Sequence, residues 1–164
     1  MAGARLTHLN ARRQPAMVDV GDKEMTRRVA VAEARLRLPA EVARALRASG
    51  HRTKKGPVFD TAIFAGVMAA KRTHELIPFC HPLGLDNCQV HIEQQGTRVT
   101  VRCEASVHHR TGVEMEALTG ATIAALTVYD MCKALSHDIT IESVRLLAKS
   151  GGRRSFTRRG ARRA

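Results

Sequence analysis

Three charged residues in the second half of the chain are spaced for proton chemistry. Asp130 and Lys133 stand three positions apart in a segment rich in Ala, Leu and Met, so on a helix they project from one face. Glu116, fourteen positions before Asp130, falls about 40° from it at 3.6 residues per turn. A carboxylate beside an amine can pass protons or meet phosphate charge. The same spacing also makes an ordinary exposed ion pair, worth a few tenths of a kcal/mol. Two features favour chemistry: the segment is too apolar for a solvent-facing helix, and the closing strand ends in a further amine, Lys149, beside the turn residues Ser150-Gly151-Gly152. Lysine is also scarce, with six against 21 arginines. In a chain that uses Arg by default, Lys54, Lys55, Lys71, Lys133 and Lys149 mark places for a compact, titratable amine. Cationic neighbours and burial would lower the Lys133 pKa, and Asp130 would raise it.

Other groups add to this set. Glu114 and Glu116 flank Met115 just after Thr111-Gly112-Val113, at a helix start where the dipole favours negative charge; simple capping electrostatics is the competing reading. Lys54-Lys55-Gly56-Pro57 precedes a helix at Val58 and suits an anion cradle, although the phosphate-loop pattern G-x-x-x-x-G-K-[ST] is absent. His81 is held with a fixed backbone between Cys80 and Pro82, and an imidazole is a side chain suited to proton transfer. Lys149 precedes the turn residues Ser150-Gly151-Gly152. His108-His109-Arg110 reads as a strand end without function. Cys80, Cys88, Cys103 and Cys132 lack metal-ligand spacing, so no metal site is expected.

The elements that must position these groups follow from periodicity. Val29 to Leu38 alternates as a strand. Pro39 opens a helix that ends at Gly50. Residues 51–57 form a basic loop, Val58 to Thr73 a largely buried helix, and residues 76–84, with Pro78 and Pro82, a rigid loop. Alternation at 88–92 and 99–107, around Gln94-Gln95-Gly96-Thr97, predicts a hairpin. Met115 to Leu135 is a helix and Ile139 to Leu147 a closing strand. This order is that of a ferredoxin-like, split βαβ α+β fold, an antiparallel sheet with helices packed on one face. The other face is left to be covered, which predicts a self-associating oligomer.

Composition bounds the function. The 164 residues make one domain, divided as an N-terminal extension over 1–16, a catalytic domain over 17–152 and a disordered Arg-rich tail over 153–164. The net charge is +12, which points to an anionic ligand. Aromatics are 3% of the chain, and residues 88–92 and 99–107 contain none, against the stacking platform of an RNA-recognition module. No specific nucleic-acid partner is expected. Without a signal-like or membrane-spanning segment, the expected location is cytoplasmic, with no membrane partner.

Several blocks in order carry a resemblance: MVDVGDK at 17–23, KKGPVF at 54–59, AAKRTHELIPFCHPL at 69–83, TGVEMEALTGATIAALTVYDMCKA at 111–134 and VRLLAKSGG at 144–152. The chain resembles the cyclic pyranopterin monophosphate synthase family (MoaC) of molybdenum cofactor biosynthesis. The resemblance implies conversion of 3′,8-cyclo-7,8-dihydroguanosine 5′-triphosphate to cyclic pyranopterin monophosphate with release of diphosphate. It further implies a homo-oligomer, a hexamer built as three dimers, with active sites at the dimer interface. By motif it implies Asp130 and Lys133 as the catalytic pair, and Phe79, Cys80, His81, Met115, Glu116, Glu114, Lys55, Lys149 and Arg28 as substrate-binding residues. No required cofactor is expected, and Mg2+ is expected only as a companion of the triphosphate. If a neighbouring subunit supplies phosphate-binding cations, Lys55 and Lys133 of one site would come from different chains.

Overall fold

The computed structural model describes residues 14–160; of the expected N-terminal extension, residues 1–13 lie outside them. Strand β1 (Thr26–Arg37) leads through Pro39 into α1 (Ala40–Ala48). Gly50 follows the helix at φ +64°, the left-handed conformation a helix stop needs. The expected basic loop closes into a two-residue ladder, β2 (Arg52–Thr53) with β3 (Gly56–Pro57). Then come α2 (Val58–Lys71), a single turn α3 (Thr73–Leu76) and an irregular stretch up to β4 (Asn87–Gln95). A hairpin leads to β5 (Arg98–His109), followed by α4 (Glu114–Cys132), β6 (Thr140–Ser150) and β7 (Phe156–Thr157).

The sheet order is β4-β5-β1-β6-β7, with every neighbour antiparallel. The expected split βαβ arrangement is present, as an α+β fold with α2 and α4 packed together on one face. That face explains the paucity of aromatics. Ala30, Ala32, Ala34 and Leu36 of β1 meet Ala117, Ala121, Ala124 and Ala125 of α4, all buried, so small side chains bring helix and sheet close. Gly66 and Gly120 mark the tightest crossing. A Cβ on Gly120 would sit 2.6 Å from Cys103 Sγ, and one on Gly66 would sit 2.9 Å from the Gly120 carbonyl. A methyl group at either glycine overpacks the core, by roughly 1–3 kcal/mol.

Three expectations change. Helix α2 buries only one stripe, Val58, Ala62, Gly66, Ala69 and Ala70, while Phe64 is 73% exposed and Met68 48%. The outer sheet face is polar, built around Glu33 and its arginines, so the apolar surface left uncovered lies on the helices instead. The tail was expected to be disordered from residue 153, yet Phe156 and Thr157 pair with Lys149 and Ala148. Arg158 fastens this turn, its backbone N–H donating to the Leu147 carbonyl at 2.7 Å and its Nε to the Leu146 carbonyl at 2.8 Å. Two strand residues and one hydrogen-bonding arginine outweigh a self-repelling composition here. Residues 161–164 lie outside the described residues.

Candidate active site

Helix α4 carries charged clusters at both ends. At its C-terminal end Asp130 accepts from Lys133 Nζ at 2.8 Å and from Lys55 Nζ at 2.7 Å, one lysine on each carboxylate oxygen. Lys55 also donates to the Asp130 carbonyl at 2.9 Å. Lys133 is the residue that caps the helix, which sets its amine beside the carboxylate one turn back. Lys55 is delivered by the β2–β3 turn, closed by Val58 N–H donating to the His51 carbonyl at 2.8 Å. His51 anchors that turn: its φ is +60°, its ring stacks on Phe59 at 4.3 Å, and its Nε2 lies 3.0 Å from Gln94 Oε1.

All three side chains are about half exposed. The hydrogen bond from Lys133 and then that from Lys55 hold the Asp130 carboxyl down at about 2. The Lys133 amine is raised by its hydrogen bond to Asp130. Of the two influences weighed on Lys133, the carboxylate therefore outweighs burial and neighbouring cations.

At the N-terminal end Lys149 Nζ donates to Glu114 Oε1 at 2.7 Å. The β1 register brings Arg28 alongside, with Nε donating to the His109 carbonyl at 3.2 Å. The chain can turn away after Lys149 because Gly151 takes φ +85° with its α-carbon pressed on β1. A Cβ there would run into the Arg27 carbonyl oxygen. These groups border a cavity of about 800 Å³, whose cations are Lys23, Arg28, Arg110, Lys149, Arg153 and Arg154. Its acids are Asp22, Glu24 and Glu114. Glu116, behind Glu114, is only 4% exposed. Burial pushes its carboxyl up to about 7, and the Glu114 charge adds to the rise. Cys80 lies within electrostatic reach of Glu116: burial first, then that carboxylate, raises its thiol. Phe79 and Met115 are 41% and 37% exposed, and His81 is half-buried.

The residues singled out by sequence therefore fall into two groups within one chain. Lys55, Asp130 and Lys133 form one; Arg28, Glu114, Glu116 and Lys149 form the other, with Cys80 beside them. Glu116 and Asp130 share an edge of the helix, as their spacing indicates, but from Glu114 to Asp130 the helix rises about 24 Å. Angular position was legible and axial separation overlooked. Lys55 sits with Lys133 on one carboxylate of one chain, not with the phosphate cations at the other end. Sequence reasoning missed Arg110 and the two tail arginines. Only the pairing of Thr26 with His109, a tertiary fact, brings Arg110 to Arg28. Among the described residues no group of three or more His, Cys, Asp or Glu is placed to hold a metal ion, and no helix is long and apolar enough to cross a membrane.

Comparison with known proteins gives these groups a context. The chain is 59% identical over 154 residues to the cyclic pyranopterin monophosphate synthase of Xanthomonas axonopodis pv. citri, covering 93% of each protein. The protein of that name in Xanthomonas campestris pv. campestris is also 59% identical, over 158 residues and 93% of each. Molybdenum cofactor biosynthesis protein 1 of Drosophila melanogaster is 48% identical over 157 residues, 94% of this chain and 27% of that longer protein. The family model described as MoaC matches residues 17–152, from just before β1 to just past β6, and the chain belongs to the MoaC family.

Proposed function

We infer that the chain is the enzyme that converts 3′,8-cyclo-7,8-dihydroguanosine 5′-triphosphate to cyclic pyranopterin monophosphate and diphosphate in molybdenum cofactor biosynthesis. The observation that carries this reading, on a chain of this family, is the cavity at the start of α4 with six cations against three acids. A triphosphate needs such an excess, since each charge-assisted hydrogen bond from Arg or Lys is about twice as strong as a neutral one. Closing the cyclic phosphate requires a sugar hydroxyl oxygen to attack the α-phosphorus. The bond from that phosphorus to the bridging oxygen breaks, diphosphate leaves, and the hydroxyl proton passes to a base.

Lys133, protonated and raised by Asp130, is suited to donate a proton or to neutralise developing charge on phosphate oxygens. Asp130, held near 2, serves as its permanent counter-charge and a weak base. Glu116, near 7, is the carboxyl best matched to exchanging a proton at neutral pH. Met115 in the first turn of α4 and Cys80, within electrostatic reach of Glu116, with its chain neighbours Phe79 and His81, are assigned to the pterin-forming part of the substrate. Mg2+ enters, if at all, with the triphosphate as part of the substrate.

The two clusters complete each other across a second copy of the chain. The C-terminal end of one α4 supplies Lys55, Asp130 and Lys133, and the N-terminal end of its neighbour supplies the phosphate cations. Exposed Phe64, Met68 and Leu126 on α2 and α4 supply apolar surface for that contact, and a hexamer of three such dimers is the assembly assigned. The reduced, unpaired cysteines suit a cytoplasmic setting. Incubation with the cyclic dihydroguanosine triphosphate should release one diphosphate per cyclic monophosphate formed. Folded protein that releases none overturns the assignment.

A further inference from the structure

The outer face of the sheet carries a second cationic site, unconnected with the ends of α4. Its centre is Glu33, 1% exposed in the middle of β1. Arg35 Nε and Arg145 Nη2 donate to Glu33 Oε1 at 2.7 and 2.9 Å, and Arg102 Nε approaches Oε2 at 3.4 Å. The strand register explains the convergence: Glu33 pairs with Arg102 on one side and Arg145 on the other, and Arg35 is the next residue on that face. The tail then turns back over it, so that Arg158 and Arg159 help enclose a cavity of about 340 Å³.

One carboxylate facing five guanidinium groups is more cation than a structural ion pair needs. A single bidentate arginine satisfies a buried carboxylate, and each further guanidinium adds desolvation and mutual repulsion. The hydrogen bonding is correspondingly incomplete. Arg145 Nε is shielded from solvent and has no partner, a cost that buried polar groups rarely bear without a ligand or water to accept from them. Arg35 and Arg102 spend their Nε atoms on Glu33 and keep their terminal forks. Glu33 thus acts as a template, holding the forks of Arg35 and Arg102 and the free Nε of Arg145 in place for an acceptor that the chain itself does not provide.

We propose that this face is a binding site for a small phosphate anion of the diphosphate class, held by Arg35, Arg102 and Arg145 from the sheet and by Arg158 and Arg159 from the tail. The cavity accommodates two linked phosphate groups, and its net excess of four positive charges matches a diphosphate. It offers no aromatic platform for a base: Phe156, the aromatic nearby, has Arg158 over its ring at 5.7 Å. The site does not depend on the assigned catalytic activity.

Calorimetric titration of the full chain at low salt, with inorganic diphosphate, inorganic phosphate and GTP in separate arms, tests it. Diphosphate should bind at two places per chain, one lost in Lys149→Ala and the other weakened at least about tenfold in Arg158→Ala/Arg159→Ala. The double tail variant changes exposed residues and should retain turnover. Glu33→Gln removes the competing negative charge and should tighten the outer site about threefold to tenfold if the variant folds. GTP should bind the outer site no better than diphosphate, showing that phosphate alone is read. Diphosphate binding unchanged by the tail substitutions, or displaced by single-stranded RNA at lower concentrations than by phosphate, overturns the proposal.

Discussion

The two ends of α4 carry the same kinds of side chain and differ in what surrounds them. The N-terminal end is a container: a strongly cationic cavity bordered by Glu114, with the carboxyl of Glu116, buried two residues further along the helix, raised to about 7. The C-terminal end is a tool without a container, a half-exposed carboxylate between two lysines. Burial accounts for their opposite electrostatics. Glu116 loses water and gains no cation, so its carboxyl rises; Asp130 keeps water and gains two amines, so its carboxyl falls. A container and a tool about 24 Å apart on one rigid helix cannot act on one phosphate unless two helices meet.

The largest effect belongs to the tool. Lys133→Arg keeps the charge and replaces an ammonium that can hand its proton to a developing oxyanion with a guanidinium that does not, so kcat should fall by roughly a hundredfold or more. Substrate affinity by calorimetry should stay within about tenfold. Near-normal kcat would move Lys133 to a purely electrostatic role. Lys149→Ala strikes the container and should act on binding, raising KM by about tenfold to a hundredfold while kcat changes less. A variant with KM intact and kcat lost would reverse the contrast between the ends.

Glu116→Gln tests the buried carboxyl by both stability and rate. A folded-state value near 7 against an ordinary 4.5 means the folded chain binds more protons between those pH values. The wild type therefore loses stability as pH rises from about 4.5 to about 7 and remains less stable above. Urea unfolding at pH 8 should show the Gln variant more stable, by roughly 3 kcal/mol at most, with the advantage gone below pH 4.5. The limb near pH 7 in kcat/KM should vanish with it. A variant no more stable than wild type at pH 8 would mean that Glu116 is solvated or paired in the assembly. The smallest effect is expected from removing residues 156–164. This costs two strand pairs and leaves Arg153 and Arg154 at the cavity, so kcat/KM should stay within about threefold. A larger loss would tie the tail to the site.

Much of this contrast was legible before any fold was known. Alternation in β1, β4 and β5, Pro39 ahead of α1 and Gly96 in the hairpin turn are local signals, and the sheet order followed from them. The i,i+3 spacing of Asp130 and Lys133 also reports a local fact and gave their contact. What stayed hidden depends on distance along an element or on register between strands. Glu116 and Asp130 look like neighbours on a helical wheel, which shows angle and not height along the axis. Glu33 reads as one acid in an alternating run, because its arginines arrive from β5 and β6. Phe64 and Met68 read as core because helical apolar content does not say which stripe finds a partner. The tail's pairing depends on two residues in a composition that argues for disorder.

Subunit complementation tests the proposed sharing of one site between two chains most directly. Lys133→Ala disables the C-terminal end of α4 and Lys149→Ala the N-terminal end. In a mixed dimer both lesions fall on one site and the other site is wild type. After exchange proven by mass spectrometry, random mixing of these two variants should restore about a quarter of wild-type kcat/KM, because half the dimers are mixed and half their sites intact. Lys133→Ala mixed with Lys55→Ala should restore nothing, since both lesions lie at the same end on one Asp130. Equal recovery in both mixtures, or recovery in neither, would contradict a site built from opposite ends of two α4 helices.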